Sequence, residues 1–147
     1  MSAIARLAGM LALLLAAATA SAQTKVPAER PLEALVKSAL LSFNDANLTG
    51  NYSVFHAKLS KPFRQQYTVE KLKETFKEFN AKSIDIDIVA AMKPTYSPMP
   101  AVDGDGKLIV KGFFPTDPTR VNFELGFIPS DGEWKLISLN VKLGPAS

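Results

Sequence analysis

The chain has 147 residues, a formal net charge of +3, and no cysteine. The length suits one domain with a core of its own, and the lack of cysteine excludes disulfides, thiol catalysis and thiolate metal sites. The 17 basic and 14 acidic residues are spread along the chain. They form no dense basic stripe with interleaved aromatics, so the charge pattern points away from nucleic acid.

Taken from the start, Met1 to Arg6 is a short segment with one positive charge, and Leu7 to Ala18 is apolar and rich in Leu and Ala. Ala20-Ser21-Ala22 then matches the small-x-small pattern of a signal-peptidase site, so residues 1–22 read as a signal peptide cut near Ala22. A spanning helix needs about 20 apolar residues, more than this run provides. No Cys follows the site, which argues against a lipid anchor. The expectation is a periplasmic or secreted protein, soluble after cleavage, with no later membrane span.

Residues 23–30 are polar and form a lead-in, and residues 31–147 form one domain. Pro31 suits the first turn of a helix, where its missing N–H costs nothing. Leu32, Leu35, Val36, Ala39, Leu40 and Phe43 fall on one helical face, and the stretch Asn44 to Gly50 is expected to end the helix. A second helix is expected from Asn51, with Tyr52, Phe55, His56 and Leu59 on one face and Pro62 at its end or at a kink. Thr68 suits the N-cap of a third, with Val69, Leu72, Phe76 and Phe79 buried and Glu70/Lys73 and Glu74/Lys77 on a solvated side.

At Ser83 the period changes. Ile84, Ile86 and Ile88 alternate with Asp85 and Asp87, which predicts a half-exposed strand with both acids on its outer side. Prolines 94, 98 and 100 mark residues 92–102 as an edge strand or extended loop. Further strands are expected over 107–114, 119–128 and 133–143, separated by Asp103-Gly104-Asp105-Gly106, Pro115-Thr116-Asp117-Pro118 and Ser130-Asp131-Gly132. Helices first and strands after mean an α+β fold, with N-terminal helices packed on one face of a curved antiparallel sheet.

This layout resembles the nuclear transport factor 2-like superfamily, the cone-shaped α+β fold that includes SnoaL-like proteins, ketosteroid isomerase and many small bacterial proteins. The likeness is carried by the opening helix leading into Gly50-Asn51-Tyr52 and Phe55-His56, by Leu72 to Phe79 running into an alternating segment, and by the closing pair Val121-Asn122-Phe123-Glu124-Leu125 and Gly132-Glu133-Trp134-Lys135-Leu136-Ile137. These are shape signals. The superfamily hosts enzymes, binders and assembly modules alike, so the resemblance implies a fold rather than a reaction. No residue here maps onto the Asp base and oxyanion donor that ketosteroid isomerases place inside the cone.

His56 is the sole histidine. The resemblance puts its helix at the mouth of the cone, where it would serve as a base with Tyr52 or Tyr67 as proton donor; the alternative is a packed, hydrogen-bonded histidine. It cannot hold a metal alone. Asp103-Gly104-Asp105-Gly106 lacks the later ligands of a calcium loop and reads as a hairpin turn, since Phe114 stands where the twelfth-position Glu belongs. No cofactor or metal motif is present in the sequence.

The cone implies a cavity lined by Phe43, Tyr52, Phe55, His56, Phe76, Phe123 and Trp134, fit for a small apolar ligand or equally a solid core. Two late strands are apolar on both parities: Leu108, Val110 and Phe114 against Ile109 and Phe113, and Trp134 and Leu136 against Ile137, Leu139 and Val141. This points to a covered outer face and a homodimer through it, unless a bulge switches parity or the N-terminal helix wraps the edge. The leading expectation is an exported, non-catalytic binding or assembly module. An isomerase- or hydrolase-type enzyme using His56 and a tyrosine, and a structural envelope homodimer, stand as alternatives.

Overall fold

The computed structural model describes residues 25–145 and has the α+β architecture, with helices followed by an open antiparallel sheet. Helix α1 spans Glu29–Thr49 and buries Leu32, Val36, Leu40 and Phe43 along one stripe. It runs past Asn44 because the stripe continues through buried Ala46 and Asn47. Gly50 then stops it in the left-handed region at φ 72°, and its N–H reaches the Ala46 carbonyl at 2.9 Å.

The expected second helix is two short ones, α2 (Ser53–Lys58) and α3 (Lys61–Gln66). Pro62 lies in the first turn of α3 instead of closing the earlier helix, a position that requires no amide donor. The expected third helix also divides, into α4 (Val69–Thr75) and α5 (Lys77–Ala81), with Phe76 between them. Thr68 caps α4 by accepting the Lys71 N–H at 3.1 Å. The break accompanies the packing of Phe76 and Phe79 edge-on against Phe43, with ring centroids at 4.8 and 5.2 Å.

The strand expected over Ile84 to Ile88 does not form. Asp87–Ala91 is instead a 3₁₀ turn, with Ile86 and Val89 buried three residues apart and Ile88 exposed. The backbone at Ile86 is claimed by Asn44 of α1 rather than by a neighbouring strand. Asp85 and Asp87 are both exposed, and Asp85 accepts the Asp87 N–H at 3.0 Å just ahead of the turn.

The sheet has two short strands, β1 (Thr95–Tyr96) and β2 (Ala101–Val102), both paired to β3 (Leu108–Phe114). β4 (Arg120–Ser130) and β5 (Glu133–Gly144) complete the order β1-β3-β4-β5. Asp131 and Gly132 form the two-residue β4–β5 turn, both with positive φ as a type I′ hairpin requires.

The register of β4 on β5 shifts between Gly126 and Phe127, so that Ser138 pairs with Gly126 and Leu136 with Phe127. Ile137 is the extra residue of this bulge. The two-sided apolarity of β5 therefore has a local cause: Trp134 and Leu136 before the bulge, and Leu139 and Val141 after it, share one parity with the core residues of β4. On β3 the two faces do differ, with Leu108, Val110 and Phe114 buried and Ile109 and Phe113 half-buried outside.

The core lies between the helices and this inner sheet face. It joins the α1 stripe, Tyr52, Phe55, Leu59 and Leu72 to Val121, Phe123, Leu125 and Phe127. Each such large apolar side chain contributes about 1.5–3 kcal/mol by leaving water, which is how a chain without disulfides is held. Among the described residues no helix is long and apolar enough to cross a membrane.

Candidate binding groove

The tight β4–β5 turn and the bulge together aim the start of β5 back toward α1. Trp134, paired with Pro129 across the hairpin, is left half-buried between them. A groove of about 290 Å³ opens here, walled by Leu35, Ala39 and Ser42 of α1, Phe55 and Lys58 of α2, and Trp134 of β5. Leu35 and Trp134 also border a second hollow of about 470 Å³, closed on its far side by Lys25, Val26 and Pro27 of the lead-in. Small-molecule sites commonly enclose roughly 300–1,000 Å³.

Polar side chains share the lining of the groove: Ser38, Ser42, Lys58, Glu133 and Lys135. Lys58 Nζ donates to Ser42 Oγ at 2.9 Å and ties α2 to α1. Behind the turn, Asp131 meets Lys135 at 3.2 Å and Arg64 at 3.9 Å. The hydrogen bond from Lys135, then its charge and those of Arg64 and Lys61, hold the Asp131 carboxyl below its usual range. The α2–α3 junction is bonded to the sheet directly, through the Ser60 N–H to the Leu136 carbonyl at 2.9 Å.

Of the residues expected to line a cavity, Phe55 and Trp134 border this groove. Phe43 meets Phe55, Phe76 and Phe79 in an aromatic cluster, in which Phe76 also contacts Phe79. Phe123 packs on Phe114 and Tyr96 at the sheet, with centroids 5.5 and 6.5 Å away. Tyr52 is fully buried and its hydroxyl donates to Asn47 Oδ1, while burial pushes its pKa up. Tyr67 packs at a tilt against Phe63, with ring centroids 5.2 Å apart, and Lys71 Nζ lies 4.8 Å from its ring centre. His56 is half-buried, and its Nε2 is enclosed without a hydrogen-bond partner among the described residues.

Among the described residues no three His, Asp or Glu side chains gather in a way that would hold a metal ion. Asp103 accepts the N–H groups of Asp105 and Lys107 at 2.9 and 3.0 Å, the bonding of a closed turn. Ser42, Lys58 and the lead-in residues were absent from the sequence-based lining. Leu35 and Ala39 belong to the apolar face read from the sequence, and the structure leaves them half-buried at its edge.

No protein-family model, curated protein or solved structure matches this chain.

Proposed function

We propose that this chain is an exported, non-catalytic binding module of the nuclear transport factor 2-like kind, which takes a small apolar ligand in the groove beside Trp134. The observation that carries this reading is the placement of Trp134: a large aromatic left half-buried over a hollow whose walls combine apolar Leu35, Ala39 and Phe55 with polar side chains such as Ser42 and Lys58. Export rests on the sequence of residues 1–22, which lie outside the described residues, and implies a periplasmic or secreted location. Of the two tyrosines in the enzymatic alternative, Tyr52 already donates its hydroxyl to Asn47 in the core. That bonding favours binding over proton transfer.

Trp134 is the sole tryptophan, so its fluorescence reports on the groove without interference. Titration with a medium-chain fatty acid should shift and saturate the emission, and Leu35→Asp should weaken the response at least tenfold. An emission spectrum that stays constant up to the solubility limit of the fatty acid would sink this reading.

A second reading, a structural homodimer through the outer sheet face, is favoured by Ile109 and Phe113, which stand on that face half-buried. Native mass spectrometry separates the two. A discrete added mass supports the binder, and a bare mass of twice the chain supports the dimer.

A further inference from the structure

The outer face of the sheet, opposite the helices, carries an arrangement that the groove at Trp134 does not use. Lys111 of β3, Glu124 of β4 and Asn140 of β5 are direct cross-strand partners in one row. Phe113, Asn122 and Lys142 form the next row in the same register. Residues two apart on a strand share a face, so the six side chains form a grid three strands wide. A hollow of about 290 Å³ lies over this grid and is bordered by all six.

The grid is held in place but left unspent. Arg120 stacks over the Phe113 ring at 4.1 Å and fixes its position. Asn122 Nδ2 donates to the carbonyls of Lys142 and Gly144 at 3.2 and 3.3 Å, which leaves its Oδ1 as a free acceptor. The side chains of Lys111, Glu124, Asn140 and Lys142 make no hydrogen bond or ion pair with any described residue. Directly opposed Lys and Glu can pair across strands, yet Lys111 and Glu124 form no ion pair.

We propose that this face is a second binding site, for a saccharide that carries a carboxylate. The two lysines supply positive charge for the carboxylate, and charge-assisted bonds of this kind are the stronger ones. Glu124 and Asn122 Oδ1 accept from sugar hydroxyls, Asn140 both donates and accepts, and the Phe113 edge offers an apolar surface to the ring. The volume fits one sugar ring, so a single unit of an acidic oligosaccharide would occupy it. A polyphosphate or nucleic-acid backbone suits the site poorly, because Glu124 sits at the centre of the grid where the anion would lie.

The experiment is an NMR titration of the isotope-labelled chain with a tetramer of α-1,4-linked galacturonate, with maltotetraose as the uncharged control. The galacturonate should shift the amides of β3, β4 and β5 around these six residues, weaken with added salt, and lose about tenfold in affinity in Lys142→Ala or Lys111→Gln. Both lysines are exposed, so these variants keep the fold. Trp134→Ala should bind the tetramer as the parent does, which separates this site from the groove. Equal binding of maltotetraose would overturn the acidic class. Absence of shifts at tens of millimolar sugar, shifts centred on Trp134, or a dimer that buries this face would overturn the site itself.

Discussion

Asn44 Oδ1 accepts the backbone N–H of Ile86 at 3.0 Å, while its Nδ2 donates to Asp85 Oδ1 at 2.9 Å. One buried amide of α1 thus satisfies the backbone of a segment 42 residues later in the chain. Asn80 Nδ2 adds a bond to the Asn47 carbonyl at 2.7 Å, one turn further along α1. The end of α1 and the chain from Asn80 to Asp87 are therefore joined by polar bonds as well as by the burial of Ile86 and Val89.

Replacing Asn44 with Ala strands the Ile86 N–H in the core. The expected loss is about 1–3 kcal/mol, the usual cost of an unsatisfied buried donor. Urea unfolding at unchanged slope is the measurement. A loss below about 0.5 kcal/mol would mean that water replaces the amide without penalty.

Phe43 touches Phe55, Phe76 and Phe79 at centroid distances of 5.7, 4.8 and 5.2 Å. It is the hub through which α1 meets α2 and the break between α4 and α5. Phe43→Ala should cost about 3–5 kcal/mol, and Phe43→Leu, which keeps most of the volume, clearly less. The two denaturation midpoints, compared directly, test whether this space is packed solid.

Much of the fold was legible where the determining interactions are local. The α1 stripe, the Gly50 stop, the Thr68 cap and the Asp131-Gly132 turn each depend on residues within a few positions of one another. The segment Ile84 to Ile88 was not legible. Its alternation mimics a strand, but Asn44 decides its conformation from far away in sequence. Ile137 is a similar case: a bulge is set by how β4 and β5 meet, and the apolar letters on both parities of β5 carry no mark of it. The groove was legible only in Phe55 and Trp134, because its walls come from α1, α2 and β5, and no single periodicity describes that meeting.

Tyr52 makes the stability of this protein sensitive to alkali. Burial raises its pKa above the ordinary 10.0, so the folded state holds the proton that the unfolded chain releases first. The corresponding stability is complete below the unfolded value and is lost as pH climbs from about 10 through the raised folded value. Tyr52→Phe has no proton to lose, so its stability should fall less steeply above pH 10. Its stability at neutral pH should be lower by about 1 kcal/mol, since Asn47 Oδ1 loses its donor. Parallel slopes for the two proteins above pH 10 would show that Tyr52 is not the group concerned.

Gly112 is where β1 comes closest to β3. A Cβ built there would lie 2.0 Å from the Thr95 carbonyl oxygen and 3.0 Å from Tyr96 Cα, both backbone atoms that cannot turn aside. Gly112→Ala should therefore push β1 away rather than be absorbed by a side chain. The pairs Thr95↔Phe113 and Tyr96↔Gly112 would open, and Tyr96 would leave its edge-on contact with Phe123. Overpacking of this kind costs about 1–3 kcal/mol. Hydrogen exchange locates the damage: the Ser97 N–H, bonded to the Lys111 carbonyl at 2.9 Å, should lose protection while the β4–β5 ladder keeps its own. Retained protection at Ser97 would mean that the sheet moves as a unit and that β1 is not the yielding element.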